Sequence, residues 1–278
     1  MGFRCWRESV MSTSSAPAYA TPNTHEFVER LNGAEDLAVY RDHVGRYRFA
    51  LQWASRSRVL DVCCGVGYGS LILAAGGAVK VLGVDISDEA ILAAQAQPQL
   101  PNMSFEVRDA CTDLPGVAEW DLITCFEGIE HVPDPAALLA QIYKCLAPGG
   151  IAVITTPNSD AYGGGHSGNP FHPSEMGEAD FRKHIVAHAW KTEWYAQNCG
   201  WIWSRPRWQY AVLPIIRALK GNRNSSVPAG EKVGITENAA MAFELNIDEG
   251  YLMPWNRGVS ISEGPPSVIC AICQKPRN

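Results

Sequence analysis

Three ionisable side chains fall close together in Glu127-Gly128-Ile129-Glu130-His131, directly after the apolar run from Trp120 to Phe126. A run of that kind bounded by polar residues reads as a buried strand, and in open α/β sheets ligands bind just beyond strand ends. If a helical turn begins there, Glu127, Glu130 and His131 converge on one side. Two roles are then open from the residues alone. In one, Glu127 supports a pocket while Glu130 and His131 cap or brace the helix that follows. In the other, His131 titrates near neutrality and acts as a general base that removes a hydroxyl proton. The stretch from Ser159 to Pro173 is rich in glycine and reads as an active-site loop that orders on substrate binding. It carries His166, a second candidate base, although a lone histidine on such a loop is more simply a solvated one.

Those side chains need a frame, and the frame begins at Arg58-Val59-Leu60-Asp61-Val62-Cys63-Cys64-Gly65-Val66-Gly67-Tyr68-Gly69-Ser70, followed by the apolar run Leu71 to Ala75. A short apolar strand, a turn with glycine at alternate positions and a helix-forming run follow one another directly. Glycines in the turn admit backbone dihedrals closed to other residues and let a ligand lie against the main chain. The first helical N–H groups then point at that ligand. The dinucleotide fingerprint asks for G-x-G-x-x-G/A, and Gly65, Gly67 and Ser70 fill those slots imperfectly. Val79 to Ser87 reads as a second strand ending in Asp85, about twenty residues on, where a carboxylate can take two ribose hydroxyls. Both features suit more than one class of nucleoside cofactor.

The next segments separate the classes. Met103 to Ala110 is a third strand ending in Asp109-Ala110, Trp120 to Glu127 is a fourth, and Leu146-Ala147-Pro148-Gly149-Gly150 leads into a fifth ending at Pro157-Asn158. This ordered set, over roughly residues 45 to 160, resembles the class I S-adenosylmethionine-dependent methyltransferases. The resemblance implies S-adenosyl-L-methionine as cofactor. Asp61, Cys63, Gly65 and Gly67 would face its amino-acid end, Asp85 its ribose and Ile86 its adenine. Asp109 would accept from the adenine amino group, with Ala110 beside it, and Phe126 and Glu127 would lie near the sulfonium. Cys63 is a departure, since such families usually carry Gly or Ala there. Cysteine is small and packs as an apolar residue, so binding is expected to survive.

The same acidic pair looks like the metal-binding motif of ubiquinone-pathway O-methyltransferases and of small-RNA 2′-O-methyltransferases, which add a later histidine. Phe171-His172-Pro173-Ser174-Glu175, with Phe181 beyond it, resembles the segment that supplies that ligand. Glu127, Glu130, His131 and His172 would together suit Mg²⁺, Mn²⁺ or Zn²⁺, and such an ion lowers the pKa of a substrate hydroxyl.

Composition sets the outer bounds. With 278 residues, 46% of them hydrophobic, the chain can bury a full core, and one elaborated α/β domain is expected over residues 24–278. A formal net charge of −6 and a pI near 5.7 argue against nucleic acid as partner and favour a small-molecule acceptor. Nine cysteines, an odd count spread through apolar segments, point to a reducing cytoplasm rather than to a disulfide framework. Cys270 and Cys273 have metal-like spacing, but on a strand they face opposite ways, which favours core packing.

The first 23 residues read as a disordered tail. Ala18-Tyr19-Ala20 mimics a cleavage site without the apolar run that export requires, and Met11 is an alternative start. No membrane span is expected. Helical periodicity is present from Thr24 to Leu31 and again from Glu35 to about Trp53, where Leu37, Tyr40, Val44, Tyr47 and Leu51 recur at steps of three and four. This leading segment is expected to cover the cofactor. Arg41, His43, Arg46 and Tyr47 are its candidates to reach inward, and Arg46 is the one to meet the cofactor carboxylate through a charge-assisted bond. Aromatics concentrate over 190–210, with Trp201-Ile202-Trp203 expected in a late strand. Residues 211–262 form an insertion long enough for a substrate lid, and Val268 to Cys273 forms the last strand.

The expected fold is therefore a Rossmann-like three-layer α/β sandwich with a seven-stranded, mostly parallel sheet whose last strand is antiparallel. The reaction implied is in-line transfer of a sulfonium methyl to an acceptor, carried chiefly by positioning. A sugar, quinone or natural-product hydroxyl is the first choice of acceptor and a small amine the alternative. A non-catalytic protein that binds cofactor and a partner is the reading of a different class. Oligomeric state is not legible.

Overall fold

The computed structural model describes residues 37–164, 169–197, 253–254 and 265–277. The expected tail, the helix over 24–31, His166, Trp201, Trp203 and nearly all of the 211–262 insertion lie outside them. Helix α1 spans Leu37–Ala54, close to its predicted limits, and buries Val44, Tyr47, Ala50 and Ala54 along one stripe. Then come β1 (Arg58–Val62), α2 (Tyr68–Ala75), β2 (Lys80–Asp85), α3 (Asp88–Gln95), β3 (Met103–Val107), β4 (Trp120–Phe126), α4 (Pro135–Cys145) and β5 (Leu146–Pro157). A 3₁₀ turn (Ser159–Tyr162), α5 (Glu178–Val186), β6 (Lys191–Gln197), β7 (Met253–Pro254) and β8 (Val268–Gln274) complete the described chain.

Local chemistry explains where helices begin. Ser87 caps α3 by accepting from the Ala90 N–H at 3.2 Å. Asp134 caps α4 through the Ala137 N–H at 3.0 Å, with Pro135 in the first turn, where its missing N–H costs nothing.

The strands form one sheet in the order β3-β2-β1-β4-β5-β8-β6-β7. Strands β1 to β5 are mutually parallel, and β8 runs antiparallel to both β5 and β6. Seven strands with the last antiparallel are thus present as expected, and the two-residue β7 adds an edge pairing from within residues 211–262. Alternate strand residues feed two cores. Leu60, Val62 and Ile154 pack with Leu138 and Ile142 of α4 and Phe181 of α5, whereas Val59, Val81 and Val153 pack with Tyr47 and Ala50 of α1 and Leu73 of α2. The result is the three-layer arrangement. Cys270 joins one core and Cys273 the other, so their spacing serves packing, and all seven described cysteines are free thiols.

The order reverses between β1 and β4, and there a single carboxylate ties four elements together. Asp61, fully buried on β1, accepts from Thr124 Oγ1 of β4 at 2.7 Å, from Ser70 Oγ of α2 at 2.7 Å and from Tyr47 Oη of α1 at 3.2 Å. Thr124 is its register partner across the sheet. Burial still outweighs these three bonds and pushes the Asp61 carboxyl up to about 6. Above this knot α1 and α2 cross closely. A Cβ on Gly69 would stand 1.9 Å from the Tyr47 ring, so only glycine permits this approach.

Two measurements check this account. A raised carboxyl means that the folded chain binds the extra proton, so stability falls as pH rises from about 4 to about 6 and is flat above. Asp61→Asn should abolish that part of the profile, worth about 3 kcal/mol for a shift of about two units. Parallel urea-unfolding profiles of the two proteins between pH 4 and 7 would contradict it. Gly69→Ala would gain about 1 kcal/mol from helix propensity alone, yet overpacking against Tyr47 costs about 1–3 kcal/mol. A net loss in urea midpoint is expected, and a gain would show that α1 does not pack as described.

Candidate functional site

The turn after β1 leaves a cradle at the carboxyl edge of the sheet. Gly65 and Gly67 take positive φ values of 55° and 84°, and a Cβ built on Gly65 meets nothing within 4 Å. That open face is what close approach of a ligand to the backbone requires. The Gly65 N–H donates to Asp85 Oδ2 at 3.0 Å, and the Ser87 N–H donates to Asp85 Oδ1 at 3.0 Å, so one carboxylate holds both turns. Ile86 between them is 61% exposed, a large apolar side chain left bare beside the cradle. Asp109 is half-buried with its Oδ1 accepting from the Cys111 N–H at 2.8 Å, and Ala110 is buried next to it. Phe126 is buried and meets the Tyr47 ring edge-on at 4.8 Å. Asp61 underlies the turn with its oxygens already engaged by hydroxyls. Apart from Arg46 on α1, the residues expected to bind cofactor thus stand at or just beyond the ends of neighbouring strands.

Cys63 also has positive φ, 58°, a conformation that costs a residue bearing a Cβ about 1–2 kcal/mol. Its thiol is turned towards β4, where a hydrogen bond with Cys125, and then burial, raise it well above the ordinary cysteine range. The room comes from Gly128, whose Cβ would lie 2.8 Å from Cys63 Cβ and 2.9 Å from its Sγ. The cysteine side chain is accommodated there.

From α1, Arg46 reaches the same edge and is only 1% exposed. Its Nε donates to Gln197 Oε1 of β6 at 2.8 Å, and its Nη1 lies 3.9 Å from Glu127 Oε1. His43 sits with its Nδ1 3.1 Å from Tyr68 Oη, and burial followed by the Arg46 charge lowers its pKa. Glu127 has φ 52° and is fixed twice by Thr155, whose Oγ1 accepts from its N–H at 3.2 Å and donates to its Oε1 at 3.4 Å.

Glu130, His131 and His172 each offer a ligand atom, all within 4.8 Å of one another. Glu127 is not in this group; its carboxylate turns to Arg46 and Thr155. Glu130 is 1% exposed. Its Oε2 accepts from Thr156 Oγ1 at 3.3 Å, while its buried Oε1 has no hydrogen-bond partner among the described residues. Burial, then the nearby Glu127 carboxylate, raise its pKa well above the usual carboxylate range. An orphaned buried acid oxygen needs an explanation, and beside two imidazoles a divalent cation supplies one, so the donor set fits such an ion. His131 Nδ1 lies 2.8 Å from the Phe171 carbonyl oxygen, and the two imidazoles meet edge-on at 4.6 Å. The segment bearing His172 is docked by Ser174, whose N–H donates to the Glu130 carbonyl at 3.1 Å and whose Oγ donates to that of Val132 at 2.7 Å.

Sequence reasoning missed Thr124 and Ser70 beneath the turn, Gln197 on Arg46, Thr156 on Glu130, and Gly128 as the counterpart of Cys63. A small polar residue on a strand gives no local signal of what lies across the sheet. Among the described residues no helix is long and apolar enough to cross a membrane.

Comparison with known proteins bears on the whole arrangement. A family model described as a methyltransferase domain matches residues 35–212. The ubiquinone biosynthesis O-methyltransferase of Psychrobacter arcticus is 39% identical over 106 residues, covering 36% of this chain and 41% of that protein. The chain thus spans about two-fifths of the length of this curated relative. A Mycolicibacterium smegmatis protein named as a probable S-adenosylmethionine-dependent methyltransferase is 32% identical over 164 residues, 58% of this chain and 62% of its own. Among solved structures, the YcgJ protein of Bacillus subtilis aligns with a TM-score of 0.55 at 17% identity, over 84% of this chain and 99% of that one. Phosphoethanolamine N-methyltransferase 2 of Haemonchus contortus, solved with S-adenosyl-L-methionine, gives 0.53 at 15%, over 92% and 61%. At such identities the structural likeness concerns the fold. The family match covers well over half of the chain and falls on the elements that build the cradle. On that ground the chain belongs to the class I S-adenosylmethionine-dependent methyltransferases.

Proposed function

We propose that the protein methylates a hydroxyl oxygen of a small-molecule acceptor of the sugar, quinone or natural-product type. The observation that carries this reading is the cluster of Glu130, His131 and His172 beside the glycine cradle. An amine acceptor needs less basic help and gives no reason for it. The ubiquinone-pathway name of the relatives similar to this chain also favours oxygen.

In this reading Asp85 takes the ribose hydroxyls of S-adenosyl-L-methionine, Ile86 covers the adenine, Asp109 accepts from its amino group, and Arg46 pairs with its carboxylate. Bound S-adenosyl-L-methionine supplies an already activated methyl group, so the chain's own contribution is orientation and exclusion of water. Glu130, His131 and His172 would hold Mg²⁺, Mn²⁺ or Zn²⁺, which lowers the pKa of an acceptor hydroxyl when bound. Glu127 stays with Arg46 at the cofactor side. His131 keeps its Nδ1 proton on the Phe171 carbonyl, which leaves Nε2 as the nitrogen with the lone pair, whether for a cation or for an acceptor proton.

Two tests follow. Asp85→Ala should weaken S-adenosylhomocysteine binding by about 1.5–3 kcal/mol, the scale of hydrogen bonds to charged groups. An unchanged isotherm would remove the cradle assignment. For the cluster, elemental analysis and Mn²⁺ titration of the purified protein should show one bound divalent ion, lost in His131→Ala with S-adenosylhomocysteine affinity retained. Turnover of hydroxyl acceptors at full rate in EDTA, with no ion bound, would discard the metal and leave His131 as the base.

A further inference from the structure

Resting on the metal reading above, we infer that Glu175 is a positioning residue, which sets the tautomer and orientation of His172 so that the cluster is ready for a cation. Its Oε1 lies 3.0 Å from His172 Nδ1, and the two side chains are 8% and 16% exposed. A carboxylate facing a ring nitrogen accepts that nitrogen's proton, which puts the hydrogen on Nδ1 and the lone pair on Nε2. His131 is held in the same tautomer by a different acceptor, the Phe171 carbonyl oxygen at 2.8 Å, which cannot donate.

Both histidines are therefore set by one short stretch, residues 171–175. That stretch does not hang free. Ser174 bonds back to the carbonyls of Glu130 and Val132, and buried Met176 bridges in parallel to Asn158 at the end of β5. The anchorage delivers His172 to Glu130 and His131, while Glu175 fixes which nitrogen His172 presents. Histidine ligands commonly donate their other ring N–H to a carboxylate, and loss of such a partner costs about 10–100-fold in metal affinity.

The test uses the full chain and Mn²⁺ alone, with free Mn²⁺ read by electron paramagnetic resonance and imidazole tautomers of the metal-free protein by ¹⁵N NMR. Glu175→Ala should weaken Mn²⁺ binding about 10–100-fold and remove the Nδ1–H preference at His172, with S-adenosylhomocysteine affinity unchanged. Glu175→Gln keeps a carbonyl acceptor at this position and should restore the tautomer with a smaller loss of affinity, which guards against a merely misfolded alanine variant. If Glu175→Ala binds Mn²⁺ as tightly as the parent, the positioning role is wrong while the metal reading stands. If the parent itself fails to bind Mn²⁺, both fall.

Discussion

A buried carboxylate on the first strand is the constraint on which the rest of the structure depends. Asp61 stands where the strand order reverses, and its oxygens collect hydroxyls from α1, α2 and the neighbouring strand β4. Three neutral donors do not fully replace water around a charge, and the carboxyl remains at about 6. The chain thus keeps a group that is unfavourable to ionise at a point where an apolar residue would pack. What it gains is negative potential under the glycine turn, fixed in direction by the three hydroxyls.

The turn itself shows how a local rule can be broken when another residue gives way. A cysteine with left-handed backbone is an awkward choice, yet Cys63 is accommodated because Gly128 offers no side chain opposite it. The compensating pair comes from the tips of β1 and β4, which flank the reversal. Since Gly128 follows Glu127, the same accommodation sets the path by which the chain leaves β4 and enters the acidic stretch.

How much could be read from residues alone follows from this division. The cradle was legible because its parts are contiguous: a strand, its terminal acid and its glycines signal themselves within a dozen positions, and Asp85 and Asp109 repeat the pattern at the next strand ends. The sheet was legible for the same reason, down to the antiparallel last strand at Val268–Gln274. The partners of these groups were not. Thr124 on Asp61 and Gln197 on Arg46 are 63 and 151 residues away, and their side chains carry no periodic or compositional mark. Helical spacing suggested that Glu127, Glu130 and His131 act together. The turn instead sends Glu127 to one side, because its left-handed backbone and Thr155 hold it against Arg46.

That separation gives the two acids different work. Arg46 supplies positive charge beside Glu127, and Gln197 steadies the guanidinium from β6. Among the described residues Glu130 has only Thr156 for one oxygen, and it faces both burial and the charge of Glu127. A second cation near Glu130 would relieve both penalties together, whereas one near Glu127 would compete with an arginine already in place. The His172 segment, docked on the carbonyls of Glu130 and Val132, closes on the side where the relief is needed. In the proposed reading the edge of one sheet thereby carries two adjoining sites of opposite demand, a donor cradle organised from β1 and β2 and an acceptor cluster organised from β4 and the stretch beyond β5.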